Sequence, residues 1–185
     1  FGLIQRGRGS IARQVATQLN PPPTFLLFEY GSSELLGPAM QGTTVGLLSV
    51  AGFADSFAHA LDTLATLLPR AKVAVVNVPD VTILPFFTTV SNKQLDAAGQ
   101  PVVDANGKTR FLLGPNNVAL IANDQVLLSA ASQIALGYGY PIGTFYYLSP
   151  VDSVAGNGIG LTDAQVLSGG EALTIQDRAR KFNSV

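Results

Sequence analysis

The sequence predicts an α/β protein, and three segments carry that prediction. Residues 24–30 and 72–78 are nearly continuous apolar runs, typical of parallel strands buried on both faces of a sheet. Between them, residues 53–68 show apolar side chains at helical spacing. A strand, a helix and a second strand in this order form a unit whose strands lie side by side and parallel. With 185 residues, 47% of them hydrophobic, the chain is long enough for one domain with its own core.

The remaining elements are predicted in chain order. Residues 10–19 form a helix capped by Ser10 and ended by the prolines at 21–23. The glycines just before it could offer backbone N–H groups to an anion, although the full dinucleotide-binding pattern is absent. In residues 102–111, Asn106 and Gly107 stand between two extended arms, which predicts a β-hairpin.

The C-terminal half is predicted to hold two more helices. One covers residues 117–136, and the glycine-rich residues 137–160 follow as a loop. The other begins at a capping box formed by Ser168 and Glu171, and its apolar face repeats at helical spacing. The sequence shows no evident internal repeat.

Composition excludes several classes of function. Eleven basic against twelve acidic residues give a net charge of −1, so no basic surplus favours nucleic acid. The absence of cysteine removes disulfides, thiolate metal sites and a cysteine nucleophile. The longest uncharged stretch, residues 125–151, contains several polar residues and Pro141, so we expect no transmembrane helix. We predict neither a metal site nor a cofactor.

The single histidine, His59, is the one imidazole available for acid–base chemistry. It lies in the helix predicted over residues 53–68, on the side opposite the apolar face, with Asp55 and Asp62 nearby. The neighbouring sequence does not supply the combination of nucleophile and orienting acid that a general base needs. We therefore interpret His59 as a solvated helix residue rather than a general base.

The most informative site candidates follow the first predicted strand. Gly31, Ser33 and Glu34 come directly after it, and ligand sites in open α/β sheets collect at the carboxyl ends of strands. The alternative is a structural strand-to-helix turn in which a serine caps the helix.

These residues also resemble a known family. Residues 31–37 (Gly-Ser-Ser-Glu-Leu-Leu-Gly) resemble the third block of the SGNH (GDSL) hydrolases, which reads Gly-x-Asn-Asp and is often followed by x-Leu-Gly. Residues 77–85 are similar to an Asn-x-Pro-Asp-Val-Thr-x-x-Pro segment of a bacterial branch of that family. Residues 166–171, together with Asn183, look like a C-terminal helix of the same branch, and Leu3, Ile4, Arg6 and Gly7 fit the segment before the third block. The resemblance covers nearly the whole chain in one order.

The resemblance implies a fold and an activity. The fold would be a three-layer α/β domain with a flavodoxin-like parallel sheet of the SGNH hydrolase type and a β-hairpin insertion near residues 90–112. Residues 1–185 would form a single, incomplete domain of this kind. The activity would be that of an esterase or lipase, which hydrolyses a small-molecule or lipid ester by a Ser-His-Asp mechanism without a cofactor. Members of this branch look secreted or attached to the cell envelope.

The resemblance also implies that the catalytic residues lie outside this segment. The family's Gly-Asp-Ser nucleophile block would precede residue 1, and its Asp-x-x-His block would follow residue 185. Gly31, Ser33 and Glu34 would be the equivalents of the third block, and Asn77 and Asp80 would border the cleft. Asp80 has a structural alternative as a turn or cap residue.

Two positions depart from the family pattern. Ser33 stands where the family has an oxyanion-stabilising Asn, and Glu34 stands where it has Asp. An Asn amide offers two N–H donors, whereas Ser offers one rotatable hydroxyl on a shorter stem. The departures keep an alternative function open, that of a non-catalytic SGNH-like binding or structural protein.

Overall fold

The computed structural model describes residues 13–14 and 20–185. The chain divides into two compact units. The first unit contains the chain up to Glu34, Leu48–Pro79 and Arg178–Val185, and the second contains Leu35–Leu47 and Asp80–Asp177. Of the helix predicted over residues 10–19, only Arg13 and Gln14 are described, and both are helical. The glycines before it lie outside the described residues.

A parallel pair of strands forms the centre of the first unit, as predicted. Strand β1 (Phe25–Glu29) pairs with β2 (Lys72–Val76) in a register that runs from Phe25↔Lys72 to Glu29↔Val76. Helix α1 (Ser32–Ala39) begins just after β1, and helix α2 (Val50–Leu67) lies between the two strands in sequence. The Ser49 side chain caps α2 by accepting a hydrogen bond from the Gly52 N–H at 3.0 Å. The chain is therefore of the mixed α/β class.

The expectation that both strands are buried on both faces is wrong. Leu26 and Phe28 pack against Leu64 and Leu68, so α2 covers one face of β1. The alternate residues of β1 point away from this cluster and are exposed, with Phe25 60% and Leu27 71% accessible. Each strand has one partner strand in the described residues, so this face lacks the second layer that parallel sheets normally have.

The predicted apolar face of α2 is confirmed. Phe53 and Leu64 are buried, and Phe57, Ala60 and Leu61 are half-buried. The helix begins three residues earlier than predicted because Ser49 caps it.

The second unit contains short antiparallel pairs. Strand β3 (Gln125–Val126) pairs with β6 (Val166–Leu167), and β4 (Phe145–Ser149) pairs with β5 (Asp152–Ala155). Two single-turn helices, α3 (Pro85–Thr88) and α4 (Ala131–Ile134), lie between the strands in sequence. One core cluster among the described residues of this unit contains Leu112, Leu120, Val126, Ala130, Ile134, Tyr140, Leu161 and Val166.

The predicted hairpin is confirmed, and it belongs to a series of three. The bridges Leu95↔Pro101, Val103↔Thr109 and Leu113↔Ala119 each close a five-residue turn, over residues 96–100, 104–108 and 114–118. All three turns make the same two backbone bonds, from the first N–H to the fifth carbonyl and from the fourth N–H to the first carbonyl. The fourth residue always has a positive φ: Gly99 +74°, Gly107 +77°, Asn117 +60°. The first two turns also share Asp-Ala-x-Gly at a spacing of eight residues, a short repeat that was not predicted.

Two predictions for residues 117–160 are wrong. The helix predicted over 117–136 is replaced by a turn, an extended segment, β3 and the short helix α4. The Asp124 carboxylate accepts hydrogen bonds from the N–H groups of Ile121 and Gly169, each at 2.9 Å, and so holds the backbone in a non-helical form. The segment predicted as a loop, residues 137–160, contains the β4–β5 hairpin.

The C-terminal helix, α5 (Gly169–Phe182), agrees with its prediction. The Glu171 carboxylate accepts from the Ser168 N–H at 3.0 Å, and the Ser168 hydroxyl accepts from the Glu171 N–H at 3.3 Å. These reciprocal bonds are the predicted capping box. Its predicted apolar residues are all buried: Ala172, Ile175, Ala179 and Phe182.

Candidate functional site

The turn after β1 carries the predicted third-block residues, and its conformation depends on Gly31. Gly31 is buried and has a φ of +117°, a backbone conformation that residues with a side chain rarely adopt. A Cβ at this position would lie 2.7 Å from Cε2 of Phe53 and 3.0 Å from Cγ2 of Val78. Since Val78 follows β2, the segments after the two parallel strands meet at Gly31. Only glycine fits there.

A carboxylate from the last residue of β1 caps the helix that follows. Oε1 of Glu29 accepts hydrogen bonds from the Ser32 N–H at 3.2 Å and from the Ser32 hydroxyl at 2.6 Å. The Glu34 N–H donates to the Gly31 carbonyl at 3.2 Å and closes the turn. The capping group is therefore Glu29 rather than a serine. This cap is not predicted from the sequence.

Ser33 and Glu34, two of the predicted third-block residues, differ in exposure. Ser33 is exposed, and Glu34 is half-buried. Both lie in the first turn of α1, where unpaired backbone N–H groups favour negative charge. Ser33 is therefore accessible to a molecule from solvent.

The segment after β2 is fixed by a residue that is distant in sequence. Asn77 is exposed, whereas Val78 is 5% accessible. Asn183 binds Val78 twice: its Oδ1 accepts from the Val78 N–H at 2.7 Å, and its Nδ2 donates to the Val78 carbonyl at 3.0 Å. This amide imitates a neighbouring strand and satisfies both backbone groups. The resemblance had marked Asn183 without indicating its structural role.

Aromatic rings pack beside the same turn. Phe53 and Phe182 are stacked, with ring centroids 4.0 Å apart and planes at 6°. Phe53 also stacks on Phe57 at 5.6 Å and packs against Tyr30 at 5.8 Å. The rings fill the space beside the Gly31 backbone, so the turn packs against a cluster of aromatic side chains.

Asp80, the remaining predicted site residue, belongs to the second unit and acts as a cap. It caps the short 3₁₀ helix Val81–Ile83. Its Oδ1 accepts from the Thr82 N–H at 2.9 Å and from the Thr82 hydroxyl at 2.7 Å. Thr82 is 1% accessible, and its hydroxyl accepts a bond from Nε2 of Gln176 at 2.9 Å. This geometry agrees with the structural alternative for Asp80. A shared cleft for Ser33 and Asp80 stays a prediction.

His59 and the potential metal ligands are the other candidate functional groups of the described residues. His59 is exposed on α2, and its carbonyl accepts a bond from the Thr63 hydroxyl. Within residues 13–14 and 20–185, no three His, Cys, Asp or Glu side chains come together in a way that could hold a metal ion. The helices of this part of the chain are too short or too polar to span a bilayer.

The strand–glycine–helix turn beside a parallel partner strand defines the class of structure, a mixed α/β arrangement with polar residues at the carboxyl edge of the strands. Comparison with protein-family models, with curated proteins and with solved structures finds no match for this chain. The assignment of function therefore depends on the residues and the geometry described above.

Proposed function

We propose that this chain is the central part of an SGNH (GDSL)-type hydrolase, which cleaves carboxylic esters by a Ser-His-Asp mechanism in the complete protein. The observation that carries the proposal is the turn at Gly31, where a parallel strand ends and a helix begins. The family resemblance assigns its third block to this turn. In the proposal, the full sheet is flavodoxin-like and three-layered, and Gly31, Ser33 and Glu34 face the nucleophile.

The exposed face of the β1–β2 pair supports a larger sheet. Phe25 and Leu27 are among its most accessible residues, and parallel sheets normally bury such side chains under helices or between further strands. Additional layers of the proposed SGNH fold would cover them. The nucleophile and the base would come from blocks outside the 185 residues, so this segment alone would be inactive.

Ser33 would act as a weakened oxyanion donor. A backbone or side-chain donor in an oxyanion hole typically contributes about 10²–10³ in turnover. With one hydroxyl in place of an amide, the parent enzyme would have a low turnover. Its substrate would be a small-molecule or lipid ester. The enzyme would meet this ester outside the cell or in the cell envelope.

A specific observation favours a second candidate function, that of a non-catalytic SGNH-like binding or structural protein. Ser33 and Glu34 both depart from the catalytic pattern, and Asp80 is engaged as a cap. A protein that keeps the scaffold and loses the donors would bind a ligand at the strand ends without turning it over.

Two measurements separate these functions. First, the coding sequence around this segment is read for Gly-Asp-Ser upstream and Asp-x-x-His downstream. Second, the complete protein is assayed with a short p-nitrophenyl ester, and Ser33→Asn is expected to raise turnover by up to ~10². Absence of both blocks, or a complete protein that is inactive with and without Ser33→Asn, would favour the binding protein.

The segment by itself gives an independent test. The 185-residue chain should hydrolyse the same ester no faster than buffer, because a serine nucleophile needs an adjacent base. Turnover by this chain that disappears in His59→Ala would contradict the proposal and would make His59 the base of a different site.

A further inference from the structure

The second unit contains an apolar cavity that the proposed ester hydrolysis does not use. Its volume is ≈ 230 Å³, and it lies beside the core cluster of this unit. Leu112, Ile134 and Tyr140, three of its lining residues, are buried core residues, and the ring of Tyr146 meets that of Tyr140 edge-on at 5.6 Å. The wall is thus preformed and largely hydrocarbon.

One side chain among the ten that line the cavity is charged. It is Lys93, and the other polar groups are hydroxyls. The Tyr140 phenol has an ordinary pKa of 10.0, so its hydroxyl is neutral at physiological pH, and burial raises this pKa further despite a hydrogen bond with the Leu95 backbone. The cavity therefore combines an apolar interior with a single positive charge.

The backbone that carries Lys93 is held in place. The Ser91 hydroxyl accepts a bond from the Lys93 N–H at 3.0 Å, and Lys93 forms an antiparallel bridge with Phe111. Lys93 is half-buried. A charge on a fixed backbone beside an apolar cavity can orient an amphipathic ligand.

Lys93 also lines a more open groove of ≈ 520 Å³. The groove and the cavity share Val90, Ser91, Lys93 and Leu95, so Lys93 stands where the apolar space meets the solvent side. The acidic residue of the groove, Asp124, accepts a backbone N–H group at each of its carboxylate oxygens and is absent from the lining of the cavity.

We propose that this cavity binds an aliphatic carboxylate of medium chain length, with the chain in the cavity and the carboxylate at Lys93. A cavity of about 150 Å³ accommodates benzene, so 230 Å³ corresponds to a chain of roughly six to eight carbons. A carboxylate accepts charge-assisted hydrogen bonds from an ammonium group, and the absence of an acidic residue from the lining disfavours an amine. Binding at this site requires no catalytic block, so it stands apart from the proposed hydrolysis.

The experiment titrates the 185-residue chain separately with sodium octanoate, octan-1-ol and octylamine. Binding is measured by isothermal titration calorimetry. We expect saturable octanoate binding at one site and weaker binding of octylamine. Lys93→Gln should weaken octanoate binding about tenfold and leave octan-1-ol unchanged, because only the charged headgroup loses its partner. The matched control, Lys72→Gln, changes an exposed lysine of β2 and should leave both ligands unaffected.

A cavity-filling variant tests the position of the chain. Ala131, an exposed residue that lines the cavity, is replaced by Phe, and this variant should lose octanoate and octan-1-ol alike. The proposal is overturned if wild type shows no saturable octanoate binding, or if Lys93→Gln behaves like Lys72→Gln. Unchanged octanoate binding in a folded Ala131→Phe would also overturn it. The Lys93 comparison remains decisive if Ala131→Phe fails to fold.

Discussion

Gly31→Ala should destabilise this protein more than Gly107→Ala or Gly170→Ala. Two separate costs meet at this position. A positive φ costs an L-residue about 1–2 kcal/mol, and Gly31 has a φ of +117°. The new Cβ would lie 2.7 Å from Phe53 Cε2, and overpacking of this kind costs about 1–3 kcal/mol. Reduced freedom of the unfolded chain returns about 0.5 kcal/mol, which leaves a net loss of about 3 kcal/mol.

The assay is urea unfolding followed by circular dichroism. At a denaturant slope of about 2 kcal/mol/M, the midpoint should fall by about 1.5 M. Two control variants separate the costs. Gly107→Ala has a positive φ of +77° with open space around the Cβ, so it should lose about 1 kcal/mol from strain alone. Gly170→Ala in α5 has neither strain nor contact and should be neutral or stabilising by up to about 1 kcal/mol.

A double-mutant cycle identifies the contact itself. Phe53→Leu removes the atom that the new Cβ would meet, so Gly31→Ala should cost about 1 kcal/mol less in the Phe53→Leu background than in wild type. Additive effects of the two changes would refute the packing part of the argument. A Gly31→Ala midpoint equal to that of Gly107→Ala would refute it independently.

Three further predictions follow from individual contacts. Asn183→Ala should lower the free energy of unfolding by about 2 kcal/mol in urea titrations, because it leaves the Val78 N–H and carbonyl unpaired. The control Asn77→Ala, at an exposed position, should change the free energy of unfolding by less than about 0.5 kcal/mol. The carboxyl of Asp104 should titrate below its ordinary pKa of 3.8 by NMR, mainly because the N–H groups of Lys108 and Asn106 bind the charged form. Its folded pKa is lowered, so its contribution to stability should be present above pH 3.8 and lost as pH falls through the folded pKa; a midpoint at or above 3.8 would contradict the turn geometry. Ser168→Ala should cost about 1 kcal/mol in thermal or urea unfolding through loss of the α5 cap, and a stability equal to wild type would count against it.

Part of the candidate site could be predicted from the sequence. Gly31 at the end of an apolar run indicates a tight strand-to-helix turn, and the structure places this glycine where no side chain fits. The role of Asp80 as a cap also follows from local sequence, because its bonds reach only two residues along the chain. The clamp on Val78 could not be predicted, since Asn183 is 105 residues away and an isolated asparagine near a C-terminus has no periodic signal.

Sequence alone determined the elements whose signals are short-range. The apolar faces of α2 and α5 follow from helical spacing, the capping box from two residues three apart, and the β1–β2 pairing from two apolar runs with a helix between them. Only the tertiary structure decided which side chains are buried and which local preferences prevail. Phe25 and Leu27 are exposed because nothing in the described residues covers their face of the sheet, whatever their hydrophobicity. Residues 117–136 have a helical pattern, yet the Asp124 carboxylate accepts bonds from the N–H groups of Ile121 and the distant Gly169 and holds the backbone around it in a non-helical form. Local propensity contributes tenths of a kcal/mol per residue, and tertiary hydrogen bonds and packing outweigh it.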